Sequence, residues 1–222
     1  MEDKDVRLKL VLIGLLSAVM LTACSGESTQ EEIYQHLEAS VEFETGFVEQ
    51  QQPISELEEQ EQTIYQEISD LGIDQYEDIK TLADEAITTI EERQTLTDNE
   101  RASIDNAKEE FDKVVPLVDE LEDGELKTAA EAMIEEMNQR YDAFVELNEA
   151  YQTSLSLDKE LYELLKQEDL EEATFSEQVD KVNAQYQVVV DKNQLFNEET
   201  DAFNEAKRQF YEQSDLNISY EE

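Results

Sequence analysis

Cys24 is the only cysteine of the chain, and it closes a Leu-Thr-Ala-Cys segment over residues 21–24. A thiolate is the side-chain nucleophile that forms a thioether, and small Ala23 would let a peptidase approach the bond before it. A charged stretch over residues 2–9 and an apolar run over residues 10–20 come first, which is the layout of a secretory signal. The run is about half the ~20 residues that a membrane-spanning helix needs.

The Leu-Thr-Ala-Cys segment resembles the bacterial lipobox, where a lipoprotein signal peptidase cuts before a cysteine already joined to diacylglycerol. The resemblance implies a signal peptide over residues 1–23, lipidation with palmitate-like acyl chains at Cys24, and a short tether over residues 24–30. Two acyl chains, at ~0.8 kcal/mol per buried CH₂, suffice for stable attachment. The alternatives are an ordinary cleaved signal before a free thiol, or an uncleaved anchor. We expect a protein lipid-anchored on the extracytoplasmic face of the cell membrane.

The chain carries 58 Asp and Glu against 16 Lys and Arg, a formal charge of -42. Nucleic acid is excluded as a partner, because binding it requires cationic side chains that displace counterions from phosphates. A disulfide within the chain is excluded as well, since only one thiol exists. Packing must therefore stabilise the fold.

No residue pattern predicts catalysis or a cofactor. His36 is the sole histidine, which rules out sites that need two histidines or a Cys and His set. Phosphate loops, nucleophile elbows and EF-hand loops are absent from the sequence. Carboxylates are too numerous for any pair to stand out as an acid and base, although the cluster of Glu56, Glu58, Glu59 and Glu61 could bind divalent cations weakly and without specificity. We expect no enzyme, no cofactor and no dedicated metal site.

Helical periodicity dominates the remaining chain. Gly and Pro number only 5 and 2, and apolar residues recur at spacings of three and four. Breaks at Gly72 and Gly124 help to divide the chain into helical regions over residues 29–71, 74–121, 125–167 and 174–210. Pro53 should kink or divide the first region, and Pro116 should bend the end of the second.

Capping-box patterns at Asp74 with Glu77 and at Thr174 with Glu177 predict the starts of the second and fourth helices. Four segments of about 40 residues joined by short turns predict an all-α, elongated up-and-down antiparallel bundle with coiled-coil-like seams. We place this bundle at residues 31–212 and an acidic tail at residues 213–222.

Polar residues interrupt the apolar seams at Arg93, Thr97, Glu100, Asn148, Asp158 and Asn193. Such residues often fix register in helical assemblies, and the alternative is a polar cavity. Tyrosines beside the seams pose a similar choice between core packing and an aromatic groove for a glycan: Tyr34, Tyr65, Tyr162 and Tyr211. The sequence leaves both choices open.

Several segments occur in an order that resembles the YkyA-like family of cell-wall-binding lipoproteins of Gram-positive bacteria. They are Ile-Tyr-Gln-His-Leu-Glu at 33–38, Gln-Gln-Pro at 51–53, Ser-Asp-Leu-Gly at 69–72, Leu-Asp-Lys-Glu-Leu-Tyr-Glu at 157–163 and Phe-Tyr at 210–211. The resemblance covers nearly all of the mature chain and implies an all-helical bundle without known binding residues.

These observations lead to the expectation of a non-enzymatic, membrane-anchored envelope lipoprotein whose bundle contacts peptidoglycan close to the membrane. Because wall teichoic acids are anionic too, contact should use hydrogen bonds, stacking or bridging divalent cations. The alternative is an extracytoplasmic protein-partner or chaperone-like module that holds its partner along exposed helix seams.

Overall fold

The computed structural model describes residues 28–216 and 218, and these form helices and connecting turns without a strand. The α-helices are α1 (Thr29–Phe43), α2 (Thr45–Asp70), α3 (Tyr76–Phe111), α4 (Val114–Asp119), α5 (Glu125–Leu165) and α6 (Glu172–Gln213). A 3₁₀ turn, Ile73–Gln75, precedes α3. The predicted signal segment and Cys24 lie outside the described residues.

The six helices form four long rods, because α1 continues into α2 and α3 continues into α4. The rod of α3 and α4 packs against the rod of α1 and α2 on one side and against α5 on the other, and α5 packs along α6. This arrangement confirms the all-α, up-and-down bundle. Within the described residues, none of the helices is long and apolar enough to cross a bilayer.

The first rod breaks at Glu44, so the prediction of a division at Pro53 is wrong. At this point the hydroxyl of Ser103 on α3 bonds to backbone groups on both sides of the break. It accepts a hydrogen bond from the Phe47 amide at 2.9 Å and donates one to the carbonyl of Phe43. A side chain inserted into the backbone hydrogen bonds is an established cause of a helix kink.

Helix α2 runs through Pro53 without interruption. The proline removes one backbone donor, which would have bonded the carbonyl four residues earlier. Buried Phe47 and Ile54 hold the helix against its neighbours on both sides of this position. Packing therefore offsets the missing bond. The second proline, Pro116, lies in α4 just after the bend between α3 and α4, as expected.

Neither predicted capping box forms. Asp74 lies inside the 3₁₀ turn, and α3 begins at Tyr76, whose hydroxyl donates to the backbone carbonyl of Lys166. Helix α6 begins at Glu172, two residues before Thr174, where an acidic first turn favours the helix dipole. A capping box exists instead at Ser28 and Glu31, at the start of α1.

Aromatic residues close the end of the bundle at which α1 begins and α6 ends. Tyr34 and Tyr211 have ring centroids 5.9 Å apart, and Phe111 packs edge-on against Phe203 at 5.8 Å. The last described residues, Leu216 and Ile218, pack against this cluster. Both ends of the described chain therefore lie at the same end of the bundle.

A buried ion pair lies beside the break in the first rod. Arg140 on α5 binds Glu44 through two bonds, Nη1 to Oε1 at 2.7 Å and Nη2 to Oε2 at 2.8 Å. Its Nε donates to Thr200 on α6 at 3.2 Å, and its guanidinium lies 5.5 Å from the ring centroid of Phe196. One side chain thus connects α5 to the first and last rods.

Candidate functional site

A long cleft separates α2 from α6. No Cα atom of α2 lies within 8 Å of one of α6, so α3 and α5 form the floor between them. The cleft has a volume of about 1440 Å³ and is lined from Phe47 to Tyr65 on α2 and from Val179 to Asn197 on α6. At 1.5 Å per residue this is a length of about 27 Å. The bundle is closed at one end and open along this side.

Three phenylalanines close the cleft at the end near the break in the first rod. The rings of Phe47, Phe144 and Phe196 pack in pairs with centroids 5.5 to 6.2 Å apart. Aliphatic side chains continue along the two walls and the α5 side of the floor: Ile54, Leu147, Leu161, Val179, Val182, Val189 and Val190. The walls can therefore bury apolar groups of a ligand.

An arginine network covers part of the floor. Arg93 on α3 is 1% exposed and donates from Nη2 to Glu61 on α2 and from Nη1 to the Tyr151 hydroxyl at 3.3 Å. The Tyr151 hydroxyl donates in turn to Glu58 at 2.6 Å. Because a buried charge is costly without partners, these bonds fix the positions of α2, α3 and α5 relative to one another.

Tyr186 links α6 to this floor. Its hydroxyl donates to Asp158 Oδ2 at 2.8 Å, while 39% of the residue remains exposed. Asp158 is 2% exposed, and burial raises the pKa of its carboxyl to about 6. Its carboxyl is therefore largely ionised at neutral pH. Tyr186 therefore lines the cleft with its ring while its hydroxyl is bonded to Asp158.

Glu100 also lines the cleft, but its carboxyl differs from that of Asp158 in its protonation at neutral pH. Burial, with a smaller effect from the negative charge of Glu58, raises the pKa of this carboxyl to about 8. It accepts a hydrogen bond from the Gln51 amide. At neutral pH the Glu100 carboxyl is therefore mostly protonated and neutral.

All six polar seam residues singled out in the sequence line the cleft: Arg93, Thr97, Glu100, Asn148, Asp158 and Asn193. The polar-cavity alternative is therefore the one that the structure favours. Tyr65 and Tyr162 line it too, whereas Tyr34 and Tyr211 pack in the core at the closed end.

Tyr151 and Tyr186 also line the cleft, although both recur at helical spacing with the apolar residues of α5 and α6. The sequence did contain one signal for a polar cleft. Residues 93, 97 and 100 are spaced so that three polar side chains lie on one stripe of α3. His36 lies outside the cleft, with Nδ1 2.7 Å from Glu110 Oε1. Within the described part of the chain, no three histidine, cysteine or acidic side chains converge as a metal site would require.

Comparisons with known proteins agree with this fold. Residues 28–213 match the model of the YkyA family, described as "Putative cell-wall binding lipoprotein". The uncharacterized lipoprotein YkyA of Bacillus subtilis (strain 168) is 29% identical over 214 residues, covering 96% of each chain. A crystal structure of a conserved protein of unknown function from Staphylococcus aureus superposes with a TM-score of 0.73 at 12% identity, covering 85% of this chain and 98% of that one.

At 12% identity, the likeness to the solved structure supports the fold alone. The family match, in contrast, extends over every helix described above. The chain therefore belongs to the YkyA family of lipoproteins.

Proposed function

We propose that the protein is a non-enzymatic envelope lipoprotein, held on the extracytoplasmic face of the cell membrane by a diacylglyceryl group on Cys24, that binds peptidoglycan in the cleft between α2 and α6. The open cleft is the observation that carries this proposal. At about 1440 Å³ it exceeds the ~300–1,000 Å³ typical of small-molecule pockets. Its length suits a segment of a polymer.

The lining of the cleft supports binding by stacking and hydrogen bonding. Tyr65 and Tyr186 are both more than a third exposed and lie on opposite walls. Carboxyl and amide groups lie on the floor between them. The description of the family as cell-wall binding agrees with this assignment.

Co-sedimentation with purified sacculi tests the proposal. The soluble fragment, residues 25–222, should bind saturably, and more strongly to sacculi freed of anionic teichoic acids, because like charges repel. A Mg²⁺ series would reveal any bridging cations. No saturable binding under any of these conditions would refute peptidoglycan binding.

A tyrosine variant locates the contact. Each lost aromatic contact is worth about 0.5–1.5 kcal/mol, so Tyr65→Ala combined with Tyr186→Ala should weaken binding by about tenfold. Tyr76→Ala, outside the cleft, is the matched control and should bind normally. Equal binding by the unchanged protein, the double variant and the Tyr76→Ala control would place the contact elsewhere on the bundle.

The lipid anchor needs its own test. Cys24→Ala in the full chain should abolish labelling by radioactive palmitate and leave the signal peptide uncleaved. Labelling that persists in this variant would exclude Cys24 as the acylated residue.

A second candidate function is supported by apolar side chains that the α6 wall leaves accessible in the cleft, among them Val190, which is 44% exposed. An amphipathic helix of an envelope protein would cover such residues if it lay in the 27 Å cleft. A photo-crosslinker placed at position 190 should then capture one defined protein from intact cells. Capture of wall fragments alone would count against this candidate.

A further inference from the structure

The cleft is acidic as well as aromatic. Its lining includes the carboxyl groups of Glu58, Glu59, Glu61, Glu100 and Asp158, and Arg93 is the one cationic residue among the described residues that line it. With Glu100 mostly protonated, four carboxylates face one guanidinium at neutral pH. The cleft therefore attracts positive charge.

Arg93 does not offer its charge to a ligand, because it is 1% exposed and bonded to Glu61. Its Nε, however, is the one buried side-chain nitrogen or oxygen without a hydrogen-bond partner within the described residues. An unpaired buried donor costs about 1–3 kcal/mol. Because this donor is buried, it lies out of reach of a ligand in the cleft, and the acidic and aromatic side chains are left to make the contacts.

We infer that the cleft recognises the peptide part of its ligand, through a free primary ammonium group of the kind that diamino acids supply in peptidoglycan stem peptides, rather than the glycan chain. The inference rests on the proposed peptidoglycan binding. The side chain of Glu58 is 46% exposed and can accept from an ammonium group while it holds Tyr151. The exposed ring of Tyr186 or Tyr65 can bind the same cation by its face.

The other surfaces of the cleft fit a peptide in the same way. Valine side chains along α6 would pack against small apolar side chains of the peptide. A glycan has hydroxyl and acetamide groups but no positive charge to match the carboxylates. A second copy of this chain is disfavoured as the occupant by the repulsion between two molecules of formal charge -42.

Chemical modification of the sacculi tests the inference. Acetylation removes the charge of free amines, whereas reductive methylation blocks them and keeps the charge. Losing one charge-assisted contact should weaken binding to acetylated sacculi by about tenfold or more, with little change for methylated sacculi. Equal binding to acetylated and untreated sacculi would overturn the amine inference and leave peptidoglycan binding intact. Failure to bind untreated sacculi would instead refute the proposed function.

Variants of the protein provide the matched comparison. Glu58→Gln with Glu59→Gln removes two charges from the cleft with little change of shape, and Glu49→Gln with Glu67→Gln removes two from α2 outside it. Only the first pair should lose the discrimination between untreated and acetylated sacculi, and its salt dependence should become weaker. The same loss in both pairs would show that overall charge, and not the cleft, selects the amine.

Discussion

Replacing Arg140 by methionine should destabilise the protein more than any surface change. The guanidinium holds Glu44 with two bonds of 2.7 and 2.8 Å, and both side chains are less than 10% exposed. Methionine has a similar length but no donor, so the Glu44 carboxylate would remain buried without its main partner. Breaking a buried pair in this way costs about 3–5 kcal/mol.

Two neighbouring contacts refine this estimate. The bond from Arg140 to Thr200 adds roughly 1 kcal/mol to the loss. Lys207 acts in the other direction, because its buried ammonium interacts with Glu44 and would partly compensate the carboxylate. We therefore expect a loss of about 3–4 kcal/mol, a large share of the ~5–15 kcal/mol by which a domain is stable.

Urea unfolding followed by far-UV circular dichroism measures this loss. The double variant Arg140→Met with Glu44→Leu removes both charges and should be more stable than Arg140→Met alone, because a buried pair can be replaced by apolar residues at little cost. A loss below about 1 kcal/mol, the range of exposed pairs, would refute the argument. So would a double variant no more stable than the single one.

Three further predictions follow from buried groups. Glu100→Gln should stabilise the protein at pH 8–9 and have little effect near pH 4.5. The raised pKa of the carboxyl means that folding loses about 1.4 kcal/mol for each pH unit between 4.5 and about 8, and a melting series across pH that shows the same gain at both ends would contradict this. Ser103→Ala leaves the Phe47 amide and the Phe43 carbonyl without their bridge, which should cost about 1–3 kcal/mol in chemical unfolding. Unchanged stability would mean that α1 and α2 join into one continuous helix in the variant. Phe144→Ala, at a side chain 2% exposed, should lower stability by about 3–5 kcal/mol, and a lowering under 1 kcal/mol would show that the cluster is loosely packed.

The helical rods were predictable because their causes are local. Few glycines and prolines, apolar spacings of three and four, and the breaks at Gly72 and Gly124 are all visible in the sequence. The break at Glu44 was not, because it depends on a hydroxyl that Ser103 brings from about 60 positions away. Pro53 was a local signal for a break, but packing keeps α2 continuous at this position.

The cleft was predictable only in part, for a related reason. The sequence showed which polar residues interrupt the seams, and Arg93, Glu100 and Asp158 were among them. Whether such residues set register or line an opening depends on the separation of the first and last rods. No spacing along one helix reports that distance, so the role of Tyr186 emerged only from the fold.

Placing both described ends of the chain at the closed end of the bundle also fixes where the cleft can act. Counted along the first rod from Thr29, Phe47 lies about 27 Å away and Tyr65 about 54 Å away. With a lipid on Cys24, a tether of a few residues would set an upper limit on the height of the cleft above the bilayer. A ligand beyond that limit would go unbound however abundant it was.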